Sequence, residues 1–116
     1  FNYAWSKMPK AMYALADKID FSLAINNTGK MDGDEVVQAY IEYPQSEGMP
    51  LKELKAFKKI HIKKGTASTV ALSIPVSDLQ KWDIATNNWK LYKGNYTICI
   101  GKNASEYLLK KTFTVQ

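Results

Sequence analysis

The chain has 116 residues, of which 46% are hydrophobic, and this size suits one domain with a single core and leaves no room for a second. Its net charge is +5, but all 16 basic residues are Lys, and because recognition of bases and phosphates favours the planar Arg guanidinium, a nucleic-acid partner is not expected. The sequence also lacks a run of about 18 uncharged apolar residues, so membrane insertion is not expected.

Residues 1–17 have no clear pattern. Tyr3 and Trp5 fit an edge strand, whereas the rest of this segment fits either a loop or a short helix. The pattern is clearer from Ile19 to Ile25, where every second residue is large and apolar. This alternation predicts a strand with one buried face, which ends in a turn rich in Asn and Gly.

A second alternating segment follows this turn. Its apolar residues predict a strand whose side chains point inward, and the polar residues between them predict a face toward solvent. Pro44 ends the strand because proline has no backbone N–H to donate. The inward set is Val37, Ala39, Ile41 and Tyr43, and the outward or marginal set is Glu35, Gln38 and Glu42.

The next strand, predicted for residues 54–62 after a loop at residues 45–53, has an irregular alternation. If its apolar residues point inward, strict alternation buries Lys58 and exposes Phe57. A β-bulge near these two residues would restore the expected burial. Alternatively, Phe57 points outward and docks on another domain. The assumed inward set is Leu54, Ala56, Ile60 and Ile62.

Residues 70–74 alternate again and predict a strand that ends at Pro75. The residues after this proline fit one helical turn, in which Ser77 or Asp78 caps exposed backbone amides.

Trp82 and Trp89 lie on either side of the segment Ala85-Thr86-Asn87-Asn88. Asparagine is common in tight turns because it tolerates left-handed backbone conformations. The spacing therefore predicts a short β-hairpin that carries the two tryptophans.

Two further strands are predicted, at residues 96–100 and 109–115. Tyr96 follows a glycine turn and suits a tyrosine corner, in which the hydroxyl bonds to the backbone upstream. Cys99 should lie on the opposite face and, as the one cysteine of the chain, can form no internal disulfide, so we expect it to be structural. About seven strands without a long helical pattern predict an all-β, immunoglobulin or fibronectin type III-like antiparallel β-sandwich.

Several motifs occur along the chain in a fixed order. They are Asn27-Thr28-Gly29, the Gly-Asp-Glu-Val-Val-Gln run from Gly33 to Gln38, the Lys-rich run from Lys52 to Lys59, Asp78 to Asp83, Trp89, Gly94-Asn95-Tyr96 and Thr112 to Val115. This order resembles the fibronectin type III-like C-terminal domain of glycoside hydrolase family 3 enzymes. The resemblance covers residues 19–116, and residues 1–18 match poorly.

The resemblance implies a non-catalytic accessory domain, residues 1–116, cut from a larger enzyme such as a β-glucosidase or β-xylosidase. Such a domain packs beside the catalytic domains of its parent, which carry the nucleophile and the acid/base carboxylate. It needs no cofactor, and a periplasmic or secreted location is compatible with the family.

The residues themselves offer little for catalysis. A retaining glycosidase needs two carboxylates about 5 to 5.5 Å apart in a cleft, but the acids here fall mainly in turns and strand edges, with Asp83 expected in a turn. Asp32-Gly33-Asp34-Glu35 lacks the ligand spacing of an EF-hand. His61 is the one histidine, which leaves no His-based metal cluster, and we expect it to point outward. We therefore predict no catalytic, cofactor-binding or metal site.

Three aromatic residues remain as candidates for contact with another domain or with sugar: Phe57, Trp82 and Trp89. Aromatic side chains at such positions usually anchor a core or an interface. If both tryptophans face outward, however, they could form a platform for sugar rings, and the chain would then be a carbohydrate-binding module with a polysaccharide partner. A third possibility, a cell-surface adhesion module, would require a parent made of tandem sandwiches.

Overall fold

A computed structural model describes residues 1–44 and 52–116 as two β-sheets packed face to face, with a small hairpin at one end. The strands are β1 Asn2–Lys7, β2 Met12–Tyr13, β3 Lys18–Asn26, β4 Gly33–Glu42, β5 Lys52–Ile62, β6 Ala67–Pro75, β7 Lys81–Asp83, β8 Asn88–Lys90, β9 Gly94–Gly101 and β10 Tyr107–Val115. Seven strands in the described residues are six residues or longer, which matches the number expected.

One sheet has the strand order β1-β3-β6, the other has the order β2-β10-β9-β4-β5, and β7 and β8 form a separate pair. The strand pairs are antiparallel, apart from a two-residue parallel pairing between β2 and β10. A 3-10 helix at Val76–Leu79 joins β6 to β7, and the described residues contain no helix suited to crossing a membrane. The predicted all-β sandwich is confirmed.

The core lies between the inner faces of the two large sheets. The long strands contribute alternate residues to it, because successive side chains on a strand point to opposite faces. The alternation predicted for β3, β6 and β9 is confirmed. The largest fully buried side chains are Tyr96, Phe21, Phe113, Ile19, Leu23, Ile25, Ile41, Ile62, Ile74, Leu79, Ile98 and Ile100.

The N-terminal segment adds an edge strand to the smaller sheet. Tyr3 pairs with Ile25, and Trp5 packs edge-to-face on Phe21 with ring centroids 6.0 Å apart. This confirms the edge strand expected at Tyr3 and Trp5. The residues that follow form no helix, but include the two-residue strand β2, which the sequence did not indicate.

The prediction that Glu35 occupies an outward or marginal position was wrong. Glu35 shares a face of β4 with Val37, lies opposite Ile60 on β5, and is only 9% exposed. The Nζ of Lys102 lies 3.7 Å from its carboxylate. The ion pair explains how a charged residue occupies this inward position at the end of the sandwich.

Asn27 joins two turns at the same end. Its side-chain amide donates to the carbonyls of Met31 and Ile62, both at 2.9 Å, and its side-chain oxygen accepts from the backbone N–H of Gly29 at 3.0 Å. Asn27 is 4% exposed. The expected turn after β3 is therefore built around one buried amide.

Tyr96 forms the predicted tyrosine corner. Its hydroxyl donates to the carbonyl of Tyr92 at 2.5 Å, and its ring stacks on Phe113 with centroids 5.5 Å apart. The contact fixes the entry of the chain into β9, next to Gly94, whose φ of 134° is a conformation that glycine favours.

Cys99 lies on the face of β9 opposite Tyr96, as predicted, but it is fully buried there. Its thiol donates to the carboxylate of Glu42 at 3.4 Å. Burial, together with the nearby negative charge of Glu42, raises the pKa of the Cys99 thiol to about 12. The thiol therefore stays protonated at neutral pH, which suits a structural role.

Two local predictions need correction. Neither Ser77 nor Asp78 caps the 3-10 helix, which follows Pro75 and has no side-chain cap. Residues 45–51 of the expected loop lie outside the described residues, whereas Lys52 and Glu53 belong to β5 instead of a loop.

Candidate functional site

The hairpin of β7 and β8 forms where it was predicted. Asp83 orders its turn, since its carboxylate accepts from the backbone N–H of Ala85 at 3.2 Å and from the Thr86 hydroxyl at 2.9 Å. Asn87 has a φ of 54°, which Asn tolerates better than most residues. Asp83 is thus the last residue of β7 and holds the turn with its side chain, instead of lying in the turn as expected.

Trp82 and Trp89 face each other directly across the two strands. Their rings meet edge-to-face with centroids 5.6 Å apart, and the side chains are 50% and 58% exposed. In this geometry the edge of one ring covers part of the face of the other, so the pair does not form one flat platform. The contact stabilises the hairpin and leaves a large aromatic surface toward solvent.

A polar cluster attaches the base of the hairpin to β5. The Glu53 carboxylate accepts from the Tyr43 hydroxyl at 2.6 Å, binds the Lys81 ammonium, and lies 3.3 Å from the Lys55 ammonium. Desolvation alone would raise the pKa of Glu53, but the hydrogen bonds from Lys81 and Tyr43 and the charge of Lys55 outweigh it and lower that pKa to about 2. The hairpin is therefore held by an ionised carboxylate.

The third candidate, Phe57, lies on a different surface. It is on the outer face of β5 and is 69% exposed. The expected bulge near Phe57 and Lys58 was wrong, because pairing with β4 runs regularly from Ala56 to Ile62 and the register shift falls at Lys55.

The shift at Lys55 also corrects the inward assignment of Leu54, which points outward and is 44% exposed. Sequence reasoning missed Leu54 as a surface residue. The sequence carries no local signal for this position, because on a regular strand Leu54 and Phe57, three residues apart, would point to opposite faces.

The acidic residues near the start of β4 bind neighbouring groups of the same domain. Asp34 accepts from His61 with an oxygen-to-nitrogen distance of 2.6 Å, and the Asp32 carboxylate accepts from the backbone N–H of Lys64 at 2.9 Å. The hydrogen bond from His61 and the charge of Lys59 hold the pKa of Asp34 below its ordinary value. No group of three or more His, Cys, Asp or Glu side chains in the described residues could hold a metal ion. His61 is exposed, as predicted.

Comparison with known families identifies the fold. The profile of the fibronectin type III-like domain matches residues 35–104. This chain belongs to the fibronectin type III-like domain family. The match runs from β4 to β9, and therefore includes Phe57, Trp82 and Trp89.

Curated relatives of this fibronectin type III-like domain are much longer. A probable β-glucosidase D of Aspergillus niger is 33% identical over 95 residues, which are 82% of this chain and 13% of that protein. A probable β-glucosidase M of Emericella nidulans is 36% identical over 88 residues, which are 76% of this chain and 11% of that protein. The chain thus corresponds to a small, accessory part of such enzymes.

Solved structures contain the same fold as part of a larger chain. The β-glucosidase from Kluyveromyces marxianus in complex with glucose superposes with a TM-score of 0.88 and 30% identity, over 99% of this chain and 14% of that one. The β-D-glucoside glucohydrolase from Trichoderma reesei superposes with a TM-score of 0.82 and 26% identity, over 99% of this chain and 18% of that one. The predicted accessory, non-catalytic domain is confirmed, and its relatives include β-glucosidases.

Proposed function

We propose that residues 1–116 form a single accessory domain of a family 3 glycoside hydrolase of the β-glucosidase type, and that it packs on and stabilises the catalytic part of that enzyme. The observation that carries this proposal is the coverage: 82% of this chain matches only 13% of a probable β-glucosidase. Hydrolysis of the β-glucoside belongs to the parent, at carboxylates outside this chain.

Phe57, Trp82 and Trp89 are the proposed contact residues of this domain. All three are at least half exposed, and burying a large aromatic side chain at an interface contributes roughly 1.5 to 3 kcal/mol. Because the hairpin and the outer face of β5 are separate surfaces, the parent could cover either one or both.

The test is to express the parent with and without the segment described here. We expect the intact parent to hydrolyse an aryl β-glucoside and the isolated 116-residue chain to hydrolyse none. Deletion of the segment should lower the melting temperature of the parent, because the apolar surface that it covers becomes exposed. A parent without glycosidase activity, or with unchanged stability after the deletion, would contradict the proposal.

A second candidate function is carbohydrate binding by the hairpin. It is supported by the exposure of Trp82 and Trp89, since exposed indole rings can stack on sugars. Affinity gel electrophoresis of the isolated chain through β-glucan, xylan and a control matrix tests it. Retardation that Trp82→Ala or Trp89→Ala abolishes, and that Ile84→Ala on the same hairpin preserves, would establish a carbohydrate-binding module. Unretarded migration in every gel would rule it out for these polysaccharides.

A further inference from the structure

A β-bulge in β5 places two large apolar side chains on one face of the sheet. Residues three apart on a regular strand point to opposite faces, but the pairing of β5 with β4 skips Lys55. Leu54 therefore lies opposite Tyr40, and Phe57 lies opposite Gln38. Since Gln38 and Tyr40 are two residues apart, they share a face, and so do Leu54 and Phe57.

The two side chains extend an apolar surface on β4. Val36, on the same face as Tyr40, is 38% exposed. The ring of Tyr40 packs against the ring of Tyr107 from β10, with centroids 5.9 Å apart. We call the surface formed by Val36, Tyr40, Leu54 and Phe57 the β4–β5 patch.

The order of Phe57 and Lys58 is the reverse of what burial within this domain alone would favour. Lys58 lies opposite Val37, whose side chain is in the core, and so occupies an inward position at the sheet edge. Phe57 takes the outward position. An exposed Phe next to a lysine in the inward position indicates that Phe57 contacts a surface outside this domain.

Charged residues of both signs border the patch. Lys52 and Lys59 lie on the same outer face, opposite Glu42 and Val36 respectively, and the Nζ of Lys59 lies 3.9 Å from the carboxylate of Asp34. The Lys52 ammonium contacts the carbonyl of Ala104 and lies 4.8 Å from the centre of the Tyr107 ring. The patch thus has an apolar centre and a polar rim, which is the usual composition of a protein interface.

We propose that the β4–β5 patch is the surface through which this domain packs on the remainder of its parent polypeptide. The inference rests on the proposed function and names the face that performs it. The occupant follows from the relatives, in which the matched segment is 11% to 14% of a longer chain.

Cysteine reactivity tests the proposal directly. The native Cys99 is fully buried, so a cysteine introduced on the surface of the isolated chain reacts with maleimide without background. Phe57→Cys and Leu54→Cys report on the patch, and Met31→Cys, in the 78% exposed turn before β4, is the matched control. The same substitutions are made in the intact parent after its other reactive cysteines have been replaced.

We expect the two patch probes to react at least about tenfold more slowly in the parent than in the isolated chain, because labelling then requires local opening of the interface. The control should react equally in both. Circular dichroism and the melting temperature of each isolated variant establish that it is folded. Equal reactivity of the patch probes in both settings would overturn the proposal.

The alternative contact surface is the β7–β8 hairpin. If Trp89→Cys is protected in the parent while both patch probes stay reactive, the domain packs through the hairpin, which overturns this inference and leaves the proposed function standing. If the parent hydrolyses no β-glucoside, the proposed function fails whatever the labelling pattern. The two failures are therefore distinguishable.

Discussion

A single buried amide, that of Asn27, holds the turn after β3 against the end of β5. Its three side-chain hydrogen bonds reach Gly29, Met31 and Ile62. The amide supplies both donors and an acceptor, and no apolar side chain of similar size can replace them.

We predict that Asn27→Ala lowers the free energy of unfolding by about 1 to 3 kcal/mol, because the buried carbonyl of Ile62 loses its donor. Urea unfolding followed by tryptophan fluorescence measures the change. Asn26→Ala is the matched control, since Asn26 is the neighbouring asparagine and is exposed. Equal effects of the two substitutions would show that the amide network carries no special stability.

Glu53 makes the stability of the domain depend on pH. Its pKa is about 2 in the folded chain, against an ordinary value of 4.5. A lowered folded-state pKa contributes stability that is present above pH 4.5 and is lost as the pH falls toward 2. The side chain is 35% exposed, so solvent screening makes the contribution smaller than the shift alone implies.

We expect Glu53→Gln to flatten the pH dependence of the free energy of unfolding between pH 5 and about pH 2. Urea unfolding at several pH values measures the slope. Glu106→Gln, which removes a carboxylate from an exposed loop, is the control and should keep the slope of the native chain. A native slope in Glu53→Gln would exclude Glu53 as its source.

At the scale of elements, the β7–β8 hairpin is too short to be stable by strand pairing alone, since each strand has only three residues. The Trp82–Trp89 contact and the ion pair of Lys81 with Glu53 provide the additional stability that the hairpin needs.

We predict that Trp82→Ala destabilises this hairpin by about 0.5 to 1.5 kcal/mol beyond the lost apolar burial, because the edge-to-face pair is broken. Near-ultraviolet circular dichroism should lose the signal of the coupled indoles, and hydrogen exchange at β8 should speed up. Ile84→Ala, at a residue that is 87% exposed on the same hairpin, should change neither. An unaltered hairpin in Trp82→Ala would mean that the Glu53 cluster suffices.

At the scale of the whole molecule, β5 is an exposed sheet edge that could pair with a second copy. The bulge at Lys55 and the inward position of Lys58 both oppose such pairing, since a regular apolar edge would be a template for strand addition.

We therefore expect Lys58→Val to increase self-association of the isolated chain, which sedimentation velocity measures across a concentration series. The substitution removes the inward charge and raises the β-propensity of the edge. Lys30→Val, at an exposed turn position, lowers the net charge by the same amount and should not change the self-association of the chain. Association in both variants would assign the effect to net charge instead of the edge.

Much of the fold could be predicted from the sequence because alternation is a local property. Local features determine the structure of their own few residues. Examples are the two-residue period of β3 and β9, the proline that follows β4 and the glycine before Tyr96. The tyrosine corner and the tryptophan hairpin could be predicted for the same reason. The inward position of Glu35 follows from the same alternation, because Glu35 is two residues from Val37. Its partner Lys102 could not be predicted, because it lies far along the chain.

The sequence alone determined the β-sandwich, the order of its long strands and the family to which the domain belongs, since these follow from periodicity, turn residues and the order of motifs. Only the tertiary structure decided which face Leu54 and Phe57 occupy and that Glu53 holds the hairpin. The physical reason is the bulge at Lys55, because one extra residue in β5 moves every side chain beyond it to the opposite face of the sheet. The bulge forms through the pairing of β5 with β4, which is a tertiary contact.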